Sequence, residues 1–310
     1  MTEEIIQVRN VSKSFNNAKA VNDLSFTVQK GDVYGFLGQN GAGKSTMIRM
    51  LLTLIKPTKG SIKIFGNELA THRIDILRRV GAIIEKPDVY KYLSAYQNLA
   101  LFAKLSGINP TRSLLMDELK RVGLTGREHD KVKTFSHGMK QRLGIAIALV
   151  HEPDIIILDE PTNGLDPQGI ADMRNLILHL RHERKKTVLV SSHLLSEIEQ
   201  VATRILIIDK GKKLVEGEAS TLFDPANTII EIETANNENT LLKLKESQWK
   251  QYVQPASGSS VKLKMHKKLL PSLHQWLVQN GVEIISIIPR HSLEDLFLQV
   301  TSGKNYVENI

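Results

Sequence analysis

The sequence predicts an α/β fold. It has a mostly parallel sheet with helices on both faces, a flanking antiparallel β layer, a helical subdomain and a small C-terminal α+β domain. Three observations predict it. A glycine-rich turn lies between an apolar strand and a helix. Strand-length apolar runs then alternate with helical segments through Ile205–Ile208, the pattern of a parallel sheet covered on both faces. After Phe223-Asp224-Pro225 the pattern becomes a mixture of shorter strands and helices.

Taken in order, Ile5–Arg9 and Val21–Val28 read as strands joined by polar turns, the antiparallel layer. Val33-Tyr34-Gly35-Phe36-Leu37 reads as a buried strand. The stretch Gly38-Gln39-Asn40-Gly41-Ala42-Gly43-Lys44-Ser45-Thr46 follows and fits G-x-x-x-x-G-K-[ST], the Walker A phosphate-binding loop. Thr46–Leu52 continues as a helix. The chemistry needs each residue type. Glycines let backbone N–H groups turn inward around phosphates. The helix N-terminus adds partial positive charge. Lys44 reaches the outer phosphates, and the Ser45 hydroxyl can ligate Mg²⁺.

Val80–Ile84 is a short apolar strand. Ser94-Ala95-Tyr96-Gln97 is a capping-box signature that opens a helix through Leu105. Thr111–Val122 is helical, with Gly123 where a C′ glycine belongs. Leu143–Val150 is an apolar helix opened by Ser136 and Gly138. Asp166-Pro167 supplies an N-cap followed by Pro at N1, and the helix after it carries Ile170, Met173, Ile177 and Leu180 on one face. Thr187–Val190 and Ile205–Ile208 are further buried strands.

These readings divide the chain into residues 1–222, with a helical subdomain at about 88–150, and residues 223–310. In the second part Ile229–Ile232, Val261–Lys264 and Val282–Ile288 are strand-like. Leu270, Leu273 and Leu277 mark a helix ending at Asn280-Gly281, and Ser292–Val300 reads as another helix. No motif in this part ties to chemistry.

Composition narrows the function classes. The chain has 310 residues, 41% hydrophobic and 24% charged, as in soluble globular proteins. It has no cysteine, which excludes disulfides and thiolate-held metals. No run of 18 apolar residues exists, and Met1-Thr2-Glu3-Glu4 lacks the basic and apolar regions of a signal peptide, so a cytoplasmic location is expected. The net charge is +8, and from residue 222 onward basic and acidic side chains balance at nine each. The excess therefore lies in the nucleotide-binding part, where it suits a polyanionic ligand or a nearby anionic membrane face. No basic run is interleaved with aromatics, so nucleic acid is not the expected partner. His179 and His182 lie three apart on a helix with no third ligand nearby in sequence, and read as a surface pair.

The second half of the site is Ile155-Ile156-Ile157-Leu158-Asp159-Glu160, a Walker B strand ending in two carboxylates. A strand this apolar belongs in the centre of the sheet, with its end expected beside the Walker A strand. Asp159 is then placed to hold Mg²⁺ through water, and Glu160 to orient and polarise an attacking water.

Three further segments and one aromatic complete a pattern. Phe135-Ser136-His137-Gly138-Met139-Lys140-Gln141-Arg142 resembles the Leu-Ser-Gly-Gly-Gln signature of ATP-binding-cassette (ABC) ATPases. Asn163-Gly164-Leu165-Asp166 resembles their D-loop, and Ser192-His193 their switch histidine. Val11-Ser12-Lys13-Ser14-Phe15 resembles the A-loop, whose aromatic stacks on adenine. The order matches from about residue 5 to 220. The resemblance implies the P-loop ABC cassette fold with ATP and Mg²⁺ as cofactors. It also implies a homodimer in which Ser136 and Gly138 of one copy meet the γ-phosphate of the other. His193 would donate to the γ-phosphate.

The pattern is departed from twice. In the signature Phe135 replaces Leu, His137 the first glycine and Met139 the glutamine, while Ser136 and Gly138 are kept. Glu85 stands at the Q-loop position, where the family has glutamine, and is expected as a Mg²⁺ ligand. Glu85-Lys86-Pro87 resembles the bacitracin- and lantibiotic-export branch, as does the C-terminal segment Ser292-Leu293-Glu294-Asp295-Leu296-Phe297. This implies an ATP-hydrolysing subunit that drives a separate membrane permease from the cytoplasmic face. The permease would dock between Glu85 and the helix starting at Ser94. Two rivals are a cassette ATPase acting on DNA or the ribosome and a nucleotide switch without turnover. The first usually carries two cassettes or a coiled-coil insertion, and this chain has neither. Intact Glu160 and His193 argue against the second.

Overall fold

A computed structural model describes residues 3–16, 18–223, 228–254, 260–291 and 297. The chain divides into two compact units, Met1–Glu218 and Ala219–Ile310. That break falls four residues ahead of the one read from sequence, because Ala219–Leu222 forms a short helix with the second unit.

The first unit starts with two long strands, β1 (Glu4–Phe15) and β2 (Ala18–Gln29), then β3 (Val33–Leu37) and helix α1 (Lys44–Leu51). The strands β4 (Lys59–Ile64) and β5 (Asn67–Glu68), helix α2 (Arg73–Leu77) and β6 (Val80–Ile83) follow. The helices α3 (Ala95–Leu105), α4 (Arg112–Arg121) and α5 (His137–Leu149) occupy the region read as a helical subdomain. The unit closes with β7 (Ile155–Asp159), α6 (Pro167–His182), β8 (Thr187–Ser192), α7 (Leu195–Glu199), β9 (Arg204–Asp209) and β10 (Lys212–Glu218).

Two sheets result. One is four-stranded and antiparallel, ordered β2-β1-β4-β5. The other is six-stranded, ordered β10-β9-β3-β8-β7-β6, parallel throughout except for the β9–β10 pair. Every residue of β3, β7 and β8 is buried. That follows from their unbroken apolar runs, since strands covered on both faces have no polar side to alternate. Side chains of β1 and β2, among them Val8, Leu24 and Phe26, share a core with Met47, Ile48 and Leu51 of α1. The antiparallel layer thus clamps the helix that follows the phosphate loop.

The local signals act where the sequence puts them. Ser94 and Gln97 form a reciprocal capping box at the start of α3. Thr111 caps α4, Asp166 caps α6 with Pro167 at N1, and Gly123 takes φ 71° after α4. One expectation is corrected. The end of β7 does not lie beside β3, because β8 is inserted between them. The register pairs Leu37 with Ser192 and Asp159 with Ser191, so β8 carries hydroxyls to both neighbours.

The second unit contains α8 (Ala219–Leu222), β11 (Thr228–Thr234), α9 (Asn237–Lys245), β12 (Val261–Met265), α10 (Leu270–Gln279) and β13 (Ile284–His291). Its antiparallel sheet runs β12-β11-β13. Its own core gathers Ile230, Ile232, Leu244, Trp249, Leu263, Leu273 and Leu277. The helix read over Ser292–Val300 lies outside the described residues, Phe297 excepted.

Candidate nucleotide site

The site grows from the carboxyl ends of β3, β7 and β8, where an open parallel sheet places its ligands. The loop after β3 has no room for a side chain at Gly38 or Gly43. A Cβ on Gly38 would stand 2.6 Å from the Ile208 carbonyl oxygen, and one on Gly43 2.4 Å from that of Ala20. Gly41 and Gly43 take φ 83° and 107°, which glycine adopts at little cost. Gly43 is also the N-cap of α1 and offers no side-chain cap. The first-turn N–H groups of α1, including those of Ser45 and Thr46, are therefore left for an anionic ligand. Gln39 and Asn40 begin the turn, and Ala42 is buried beneath it.

Lys44 is 5% exposed and spans the loop. Its Nζ donates to the carbonyls of Gly38 at 2.5 Å and Gln39 at 3.1 Å, and lies 3.1 Å from Glu160 Oε1. The other Glu160 oxygen, Oε2, is 2.6 Å from His193 Nδ1. Lys44, Glu160 and His193 are thus one linked group. Glu160 sits at φ 51°, a left-handed conformation that costs a non-glycine residue of order 1 kcal/mol. Its N–H donates to Ser191 Oγ at 2.9 Å, which holds that turn.

Asp159 is fully buried. Ser191 Oγ donates to its Oδ1 at 2.6 Å, while Oδ2 has no protein partner among the described residues. A buried carboxylate oxygen without a partner is costly. A hard cation held directly or through water would satisfy it, so the residues present fit Mg²⁺. Among the described residues no group of three or more His, Cys, Asp or Glu side chains is gathered to hold a metal.

Other predicted positions are not hydrogen-bonded to this group. Glu85 follows β6 at φ 58°, and its carboxylate accepts from Arg49 Nη2 at 2.6 Å. The pair is well exposed, with Glu85 at 63%. Phe15 ends β1, 47% exposed, with Lys13 Nζ 5.0 Å from its ring centre, so one end of the antiparallel layer presents an open aromatic face. Ser136 is the N-cap of α5 and accepts from the Met139 N–H at 3.2 Å. Gly138 faces Leu165, and Asp166 caps α6 by accepting from Gly169 N–H at 2.9 Å. The start of α5 thus packs against the loop that ends at Asp166.

Sequence reasoning missed the polar scaffold behind the site. Ser191 joins the Asp159 carboxylate to the backbone N–H of Glu160. Glu197 of α7 accepts from Thr162 Oγ1 at 2.6 Å and Ser192 Oγ at 3.0 Å, tying the loop after Glu160 to β8. The only signal was a pair of serines ending an apolar strand. Arg49, the partner of Glu85, carried no signal at all.

A phosphate loop, a buried metal-ready carboxylate and a second carboxylate between a lysine and a histidine define a P-loop nucleoside triphosphatase of the cassette type. Comparison with known proteins agrees. A family model described as ABC transporter matches residues 21–163. The bacitracin transport ATP-binding protein BcrA of Bacillus licheniformis is 41% identical over 300 residues, covering 96% of this chain and 98% of that one. The lantibiotic transport ATP-binding protein SrtF of Streptococcus pyogenes is 44% identical over 214 residues, 69% of this chain and 91% of that one. Among solved structures, a post-hydrolysis dimer of the ATP-binding cassette MJ0796 bound to ADP and Pi matches with a TM-score of 0.63. It is 26% identical and covers 69% of this chain and 99% of that one.

The chain belongs to the ABC transporter ATP-binding protein family. It is the ATP-binding subunit of a transporter, and its cassette couples ATP hydrolysis to transport. Among the described residues no helix is long and apolar enough to cross a membrane.

Proposed function

We propose that the Lys44–Glu160–His193 group is the hydrolytic centre, and that the cycle it runs powers an exporter whose cargo falls in the class of bacitracin and the lantibiotics. The observation that carries the chemistry is the Glu160 carboxylate, held on one oxygen by Lys44 at 3.1 Å and on the other by His193 at 2.6 Å. Lys44 supplies charge to the β- and γ-phosphates while Gly38–Thr46 wrap them with backbone N–H groups. Phosphate oxygens compete with Glu160 for Lys44, so nucleotide binding releases one carboxylate oxygen to orient and polarise water. His193 then donates toward the γ-phosphate.

Asp159 and Ser45 would hold Mg²⁺, with Glu85 as a further oxygen ligand once it leaves Arg49. When bound, the metal would supply positive charge that offsets the charge of the phosphate oxygens. Phe15 supplies the stacking face for adenine. Two copies sandwich two ATP molecules, with Ser136 and Gly138 of each copy turned to the γ-phosphate of the other. Asp166 anchors the loop between them. The dimer sits on the cytoplasmic face of the membrane through a separate permease, and residues 219–310 form an accessory unit.

The transport relatives support this reading over action on DNA or the ribosome. Purification of the tagged chain from membranes tests the assembly. A multispanning membrane protein should accompany it, and cells lacking the chain should become more sensitive to bacitracin or a lantibiotic. A chain recovered with nucleic acid or ribosomes, with unchanged sensitivity, would overturn it.

A further inference from the structure

His137 stands where the signature has its first glycine, and the nucleotide site described above does not use it. Its Nε2 lies 3.2 Å from the carbonyl oxygen of Asn163. A carbonyl only accepts, so Nε2 carries the proton in this contact. Asn163 N–H in turn donates to the carbonyl of Glu160 at 3.1 Å. Two consecutive hydrogen bonds therefore run from the first residue of α5 to the backbone of Glu160.

Packing follows the same line. Gly164 takes φ 74°, and a Cβ placed on it would meet the His137 ring at 3.6 Å. Leu165 stands opposite Gly138, where a Cβ would contact its Cδ2 at 3.7 Å. The far end of the loop is fixed by Asp166, which caps α6, and by the Leu165 N–H, which donates to the Thr162 carbonyl at 3.1 Å. Thr162 is itself bonded to Glu197. The loop is thus anchored on the sheet side by Ser191 and Glu197, and on the α5 side by His137. A glycine at 137 would offer neither the donor nor the ring.

We propose that His137 is a positioning residue that ties the Ser136–Gly138 turn to the loop carrying Glu160 within one chain. Movement of that turn is then passed to the backbone of Glu160. This rests on the proposed roles of Glu160 in water activation and of Ser136–Gly138 in meeting a second copy.

The test compares His137→Ala and His137→Gln with the wild-type full-length chain. Glutamine keeps an N–H donor of similar reach. In nucleotide-free protein, amide hydrogen exchange at Asn163 should quicken about 3- to 10-fold in His137→Ala, the span of one neutral hydrogen bond, and stay within about twofold in His137→Gln. With ATP and Mg²⁺, kcat should fall by a similar factor in His137→Ala at unchanged KM, and recover in His137→Gln. His137 is exposed, so both variants should fold, and circular dichroism verifies that they do.

Unchanged exchange at Asn163 in His137→Ala would overturn the proposal. So would quickened exchange with wild-type kcat, which makes the contact structural only. So would a loss that glutamine fails to restore. A wild-type chain that does not hydrolyse ATP would refute the assigned hydrolytic centre instead, and the exchange measurement would still decide the tie.

Discussion

Replacing Glu160 with Gln removes one negative charge and almost no volume. Glu160 is the carboxylate between Lys44 Nζ, at 3.1 Å, and His193 Nδ1, at 2.6 Å. Lys44 is 5% exposed and the Glu160 side chain 15% exposed, so solvent screens this cluster weakly. Two effects follow with different signs. An amide polarises water poorly, and loss of a positioned general base costs about 10²-fold or more, equivalent to about 2.7 kcal/mol of barrier. In the nucleotide-free chain Lys44 loses its counter-ion, which phosphate then replaces, so ATP binding should hold or tighten. The variant should hydrolyse at most about 1% of the wild-type rate and elute as a lasting dimer on gel filtration with ATP. Phosphate release gives the first number and elution volume the second. Near-normal turnover would refute the reasoning, because no other carboxylate contacts both Lys44 and His193 among the described residues.

Lys44→Ala should weaken ATP affinity at least tenfold while circular dichroism stays that of a folded chain, since the backbone turn cannot replace the lost charge. Titration with a fluorescent ATP analogue checks it, and wild-type affinity would contradict it. Cutting after Glu218 should leave a soluble cassette that binds ATP, because residues 219–310 have their own core; an insoluble product would contradict this. Glu118 of α4 is fully buried beside Arg184 and Arg121, and burial raises its pKa above the ordinary value. A raised carboxylate binds its proton more tightly in the folded state, so its contribution is full below about pH 4.3 and declines as pH rises through the folded value. The stability of Glu118→Gln relative to wild type should therefore improve from pH 4 to pH 7, measured by urea unfolding, and a worsening difference would contradict the assignment.

Much of the fold was legible because its signals are local. The glycine turn needs no tertiary information, nor do the capping box at Ser94 or the Asp166-Pro167 start of α6. The unbroken runs of β3, β7, β8 and β9 announced burial on both faces. Legibility failed where position depends on the whole sheet. The apolar run of β7 states that it is central, yet nothing in it says that β8 separates it from β3. β4, with Lys59-Gly60-Ser61-Ile62-Lys63-Ile64, and β10, with Lys212-Lys213-Leu214-Val215-Glu216-Gly217-Glu218, are too polar to read as strands, because each keeps much of its surface in solvent. The site shows the same division. Lys44, Asp159 and Glu160 were named by motif. Ser191, Glu197 and the Arg49 partner of Glu85 were not, because each acquires its role only through a neighbour distant in sequence.

The central claim is that Asp159 holds Mg²⁺ for hydrolysis at Lys44 and Glu160. It is tested most directly by phosphate release from ATP across a Mg²⁺ titration, for the wild type and Asp159→Asn. The buried, unpartnered Oδ2 of Asp159 predicts that wild-type hydrolysis vanishes in chelator and saturates with Mg²⁺. The asparagine variant should need at least tenfold more Mg²⁺ to reach half its maximum. Hydrolysis that persists without metal, or an Asp159→Asn curve that overlays the wild type, would contradict the account.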